Sequence, residues 1–171
     1  SAGAATIMAA FNEVSGIPAH GNSWLLRDVL RRQWGFDGLV VSDYTGDLEL
    51  IDHGLADGPR DAARIAFMAG VDMSMTSGLY RDHLPDLVRS GLVPEARVDE
   101  SVRRVLELKE KLGLFDAPYN RLNGPAISAH APAFRPLARE AAQKSVVLLK
   151  NDGGLLPLPK AGKRIALIGP S

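Results

Sequence analysis

The chain has 171 residues, enough for one domain with a sizeable core or for parts of two. Lys plus Arg and Asp plus Glu balance at 20 each, so no global field favours nucleic acid or an anionic membrane surface. The absence of cysteine excludes disulfides, thiolate catalysis and zinc–thiolate sites, and no apolar stretch approaches membrane-spanning length.

The start, Ser1-Ala2-Gly3-Ala4-Ala5, has neither an initiator Met nor a basic segment followed by an apolar one, so it does not read as a signal peptide. Three short apolar runs then recur about every thirty residues, the size of a βα unit. They are Thr6–Phe11, Leu39–Val41 and Gly70–Met75, each read as a strand. Between the first two, Ser23–Arg32 reads as a helix with Ser23 at its N-cap and Leu26, Val29 and Leu30 as its apolar stripe. Between the second and third, Pro59–Gly70 carries Pro in the first turn and Gly at the stop. Strand, helix, strand, helix, strand with short connections predicts parallel strands with right-handed crossovers.

The rhythm then changes. Pro85–Gly91 reads as a short helix, and Asp99 as the cap of a longer one presenting Val102, Val105, Leu106 and Leu112, with Gly113 at its end. Residues from about Asp116 to Pro132 are rich in Pro, Gly, Ala and Asn and read as a linker. A helix over Pro136–Leu149, a turn at Asn151–Gly154 and a new strand over Lys163–Ile168 follow, where the sequence stops in mid-pattern. Both ends read as cut.

The strand Leu39-Val40-Val41 ends abruptly in Ser42-Asp43-Tyr44. A continuous apolar run marks a parallel strand buried on both faces, and the residue past its C-terminal end faces the mouth of a barrel's active site. Asp43 is therefore the first candidate for chemistry, as nucleophile or general base. An ordinary Asp titrates near pH ~3.9 and is ionised at neutrality. The alternative is a helix N-cap for the segment beginning near Asp47. Tyr44 is either an aromatic platform or a half-buried strand-end residue. Among neighbouring carboxylates, Glu13 is the best second partner, whereas Asp47, Glu49 and Asp52 read as a solvated first helical turn. Asp72, inside an apolar run, must be paired or hydrogen-bonded and reads as structural. Ser74 and Met75 could line a pocket. His20, His53, His83 and His130 show no metal-ligand spacing, so no metal is assigned. Arg103-Arg104 and Lys109–Lys111 interleave with Glu107 and Glu110 as a solvated helix face.

The run Gly35-Phe36-Asp37-Gly38-Leu39-Val40-Val41-Ser42-Asp43-Tyr44 resembles the nucleophile signature of glycoside hydrolase family 3. Phe11–Ala19 and Trp24–Arg31 upstream, and Ala69–Met75, Ser145–Asn151 and Leu155–Leu158 downstream, resemble the same family in the same order. Within it, the chain is most similar to the bacterial periplasmic β-glucosidase branch. The resemblance implies an α/β fold. Residues 1–115 would be the C-terminal part of a (β/α)8 barrel, 116–162 an interdomain linker with a helix, and 163–171 the first strand of an α/β sandwich domain.

It also implies retaining hydrolysis of β-D-glucosyl residues through a covalent glycosyl-enzyme on Asp43, with no cofactor. The substrate would be a β-linked oligosaccharide or an aryl or alkyl β-glycoside, with neither nucleic acid nor membrane as partner. Tyr44 takes the place of an aromatic that stacks on the sugar. Phe11 stands where many members have a Tyr that bonds the nucleophile, and Ser74 borders the inner subsite. The acid/base and the inner-sugar grip would lie outside these residues, so the remainder of a parent chain is expected to complete the site. A periplasmic or extracellular location follows from the same resemblance. β-Xylosidase, β-N-acetylglucosaminidase and a non-catalytic carbohydrate-binding relative are the alternatives.

Overall fold

A computed structural model describes residues 3–119, 131–162, 164, 166, 168 and 169. Two units divide the chain, Ser1–Arg121 and Leu122–Ser171. In the first, β1 (Thr6–Met8), β4 (Leu39–Tyr44) and β5 (Met73–Met75) form a three-stranded sheet in the order β1-β4-β5. Both pairings are parallel, as the βα rhythm requires. A small antiparallel hairpin, β2 (Glu13–Val14) with β3 (Ile17–Pro18), follows β1 and was not legible, because two-residue strands leave no periodicity.

The connection from β3 to β4 is a helix over Trp24–Gln33 wound in the wider π form, whose last turn includes a bond from the Trp34 N–H to the Val29 carbonyl (3.0 Å). Leu26, Val29 and Leu30 are its buried residues, as the stripe predicts. Its cap differs from the expectation. Ser23 already has helical dihedrals and makes no capping bond, while Asn22 Oδ1 accepts the Leu25 N–H at 3.0 Å. The first helical residues are thus capped one position earlier, by the longer-reaching amide.

Helix α1 (Pro59–Ala69) matches its expected bounds. Helix α2 (Leu79–Arg89) starts six residues before the predicted Pro85, which lies in its interior. Burial of Leu79 and Leu87, each contributing ~1.5–3 kcal/mol, outweighs the lost Pro85 N–H bond. Helix α3 (Glu95–Lys111) likewise begins ahead of Asp99, after Pro94. Its stripe is not core: Val102 and Leu106 are exposed and Ser101 is its buried residue.

Two apolar clusters hold the unit together. One joins Leu50, Ala62, Ala63, Ala66 and Phe67 of α1, Leu79, Leu87 and Val93. The other packs Ala9, Leu26, Leu30, Val40, Ala69 and Val71 around the sheet. Between sheet and helices lies a buried ionic clasp. Asp72 Oδ2 accepts from the Val40 N–H (2.9 Å) and Arg31 Nη2 (2.6 Å), and its Oδ1 from Ser101 Oγ (2.9 Å) and Arg104 Nη1 (2.7 Å). Asp72 is structural, as expected. Arg104, by contrast, is drawn out of the solvated face assigned to it and into this clasp.

In the second unit, α4 (Ala131–Ser145) begins five residues before the predicted Pro136 and ends before Leu149. The turn at Asn151–Gly154 is present, closed by the Gly154 N–H on the Asn151 carbonyl (3.0 Å) and by reciprocal bonds between Asn151 and Leu156. Most of the predicted linker, at 120–130, and half of the predicted strand 163–168 lie outside the described residues.

Candidate active site

β4 is the middle strand, and its apolar half, Leu39 and Val40, is buried because both neighbours and the helices cover it. Its polar end departs from regular pairing. Val41 opposes Met73 and Tyr44 opposes Met75, so one extra residue is accommodated in β4 across Ser42 and Asp43. Ser42 is fully buried and repairs the interrupted ladder with its hydroxyl, which accepts the Met75 N–H (2.7 Å) and donates to the Asp43 carbonyl (2.9 Å). Such a bulge re-aims a side chain at the end of a strand.

Asp43 is half-buried at that point. Its carboxylate Oδ1 accepts the Tyr44 N–H at 2.7 Å. Among the described residues Oδ2 accepts no hydrogen bond, so one carboxylate oxygen is open. The capping alternative is corrected. The one-turn helix Leu48–Leu50 is capped by Asp47, whose Oδ1 accepts the Leu48 N–H (3.0 Å). Asp43 is left for other work.

Behind Asp43, its main-chain N–H donates to Nε2 of His20 at 3.0 Å. His20 is 1% exposed, and its ring stacks at a tilt on Phe11, 5.9 Å between centroids. Burial lowers its pKa from the ordinary 6.5, while Asp47, Asp43 and Glu49 work in the opposite direction. The second carboxylate of this region is also not where the sequence put it. Asp47 is fully buried, not on a solvated turn, and its Oδ2 accepts from Ser74 Oγ (2.6 Å) and Ser77 Oγ (3.0 Å).

The four residues singled out from the sequence therefore sit at the C-terminal ends of adjacent parallel strands, with different environments. Asp43 and the exposed Tyr44 end β4, Phe11 follows β1 and covers His20, and Ser74 lies in β5 with its hydroxyl turned to Asp47. Glu13 is exposed and paired with His53 Nδ1 at 3.0 Å. Sequence reasoning missed His20 and misplaced Asp47. For His20 the only signal was a histidine set between the small residues Ala19 and Gly21. Backbone strain marks the same edge. Thr45 (φ 54°) and Thr76 (φ 64°) adopt left-handed conformations just past β4 and β5, costly for β-branched residues. Among the described residues no three His, Cys, Asp or Glu side chains converge as a metal ion would require.

Residues 1–108 match the N-terminal domain of glycosyl hydrolase family 3, and the chain belongs to that family. It is 49% identical over 175 residues to the periplasmic beta-glucosidase of Salmonella typhimurium, covering 99% of this chain and 23% of that protein. A beta-xylosidase of Formosa agariphila is 36% identical, with 99% of this chain and 25% of the relative covered. Among solved structures, the beta-glucosidase of Listeria innocua in complex with gluconolactone superposes with a TM-score of 0.72 at 45% identity. That match covers 94% of this chain and 22% of the other. The chain thus spans about a quarter of the length of the curated relatives it matches.

Proposed function

We propose that this chain supplies the nucleophile of a retaining β-glycosidase, and that Asp43 is that nucleophile. The observation that carries the reading is the half-exposed carboxylate with one free oxygen at the end of the central parallel strand. Attack by Oδ2 on an anomeric carbon forms a glycosyl ester and expels the aglycone oxygen, which takes a proton from a second carboxylic acid. Water then cleaves the ester with that group acting as base. The two carboxyl groups of such an enzyme stand roughly 5–5.5 Å apart. Glu13 is paired with His53 and Asp47 with two serines, and the resemblance to the family assigns the acid/base to a segment outside residues 1–171. No cofactor enters this chemistry.

Tyr44, 63% exposed beside Asp43, offers a stacking face for a sugar. Phe11 bears on the site through His20. Ser74 borders it through Asp47. The three strands are read as consecutive strands in the C-terminal part of a (β/α)8 barrel, residues 1–115, followed by the linker and the first strand of a sandwich domain. The outer edge of β1, unpaired among the described residues, supports this, as does the apolar hollow of about 230 Å³ between Ile7, Met8, Leu26, Leu30 and Trp34.

The sugar is read as β-D-glucose from the 49% identical relative, and β-xylose is the second reading, favoured by the Formosa beta-xylosidase. A periplasmic location rests on that first relative's name, and among the described residues no helix is long and apolar enough to cross a membrane. The test is hydrolysis of 4-nitrophenyl β-D-glucoside and β-D-xyloside by the complete natural polypeptide, followed by NMR of the first-formed anomer. A β-configured product is expected. An α-configured product would overturn the nucleophile assignment, and faster turnover of the xyloside would select the second reading.

A further inference from the structure

We propose that His20 is a positioning residue: a buried neutral imidazole whose Nε2 lone pair holds the Asp43 main chain and so aims the Asp43 side chain. The inference rests on the reading of Asp43 as nucleophile and adds the group that sets its orientation. The geometry leaves one tautomer. The Asp43 amide is a donor, so Nε2 at 3.0 Å must accept, and a neutral ring then carries its proton on Nδ1. The ring cannot drift away from that bond. Phe11 lies against it on one side. On another, a Cβ added to Gly46 would overlap Cε1, Nε2 and Nδ1 of the imidazole, so only glycine lets the main chain pass this close.

The bond meets Asp43 where β4 is irregular and lacks a normal ladder partner. Its amide is taken by His20, its carbonyl by Ser42 Oγ and the Gly46 N–H (3.1 Å). Three side-chain and turn contacts thus replace regular pairing at the residue whose carboxylate must be aimed. Protonation of Nε2 would set two donors face to face and release the amide. Charged groups around the ring are all acidic: Asp43 and Asp47 from the β4 end, and Glu49 from the following turn. From α1 the apolar Ile65 faces Gly21, in the Ala19–Gly21 turn that carries His20, and on the hairpin Glu13 is engaged by His53. The acids pull toward imidazolium, whereas burial opposes it and prevails. The bond is therefore a proton-sensitive latch on the strand end.

Three measurements on the complete natural polypeptide test this. In H20Q the amide oxygen reaches the position of Nε2 and accepts without titrating, while H20M fills the volume without an acceptor. H20M is expected to lower kcat about five- to tenfold, the worth of one positioning hydrogen bond, with KM little changed. H20Q is expected to restore most of the rate and to extend the pH–rate profile to lower pH. Selective ¹⁵N-histidine labelling is expected to show one imidazole locked as the neutral Nδ1–H tautomer, lost in H20Q.

An unaltered kcat in H20M, an unaltered acid limb in H20Q, or a freely titrating ring would each overturn the proposal. If H20M does not fold, H20Q and the tautomer decide it. The underlying reading has its own check: Asp43→Gly supplied with azide should yield α-glucosyl azide. Absence of that product removes Asp43 as nucleophile, whereas azide product with an indifferent His20 removes only the latch.

Discussion

The two ends of β4 are each attended by an aspartate, and the two carboxylates are treated in opposite ways. At the N-terminal end Asp72, its side chain 2% exposed, meets the Val40 amide, two guanidinium groups and a serine hydroxyl. Every lone pair is used, and burial further lowers the Arg31 pKa while Asp72 supports its charge. At the C-terminal end Asp43 takes one amide N–H and leaves an oxygen open to solvent. A saturated buried carboxylate fixes four elements in place, whereas an unsaturated half-buried one can form a bond to something else. The first is the foundation that lets the second be held at a defined angle.

Replacing each aspartate should separate these roles. Asp43→Asn should cost on the order of 10⁴-fold or more in kcat, above ~5 kcal/mol, with little change in the urea midpoint. Asp72→Ala should act the other way round, because it strands Arg31 and Arg104 against each other. A loss of ~3–5 kcal/mol in unfolding free energy is expected. An Asp72→Ala protein as stable as its parent would break the comparison.

Smaller effects probe the surroundings of Asp43. Gly46→Ala should cost ~1–3 kcal/mol by driving a methyl group into the buried His20 ring, and should lower activity together with stability. Thr45→Gly relieves the left-handed strain at φ 54° but adds chain entropy, so a gain of about 1 kcal/mol or less is expected. The pH dependence is smallest. Because the folded pKa of His20 lies below 6.5, the unfolded chain binds more protons between the two values. Its stabilisation is fully present above pH 6.5 and is lost as pH falls through the lowered folded value. Denaturant midpoints measured from pH 8 downward should show this fall, and H20Q should flatten it.

Parallel pairing was legible because three apolar runs at βα spacing have few other ways to be buried. The position of Asp43 at the end of the central strand was legible for the same reason, as the polar residue where an apolar run stops. Helix starts were less so. Pro85 and Pro136 suggested first turns, yet each lies inside a helix, and Ser23 yielded its capping role to Asn22. Propensity gave way to tertiary burial in α2. The environments of His20, Asp47 and Arg104 could not be read in advance. Their partners lie 23 to 32 residues away, and neither composition nor periodicity encodes such contacts.

The most direct test uses a slow substrate whose glycosyl ester survives. The complete polypeptide is treated with 2,4-dinitrophenyl 2-deoxy-2-fluoro-β-D-glucoside, digested, and sequenced by mass spectrometry. The account expects one fluoroglucosyl group per active chain, on the peptide containing Val41-Ser42-Asp43-Tyr44 and localised to Asp43. A label on any other carboxylate, or turnover inhibited with no label at all, would contradict it.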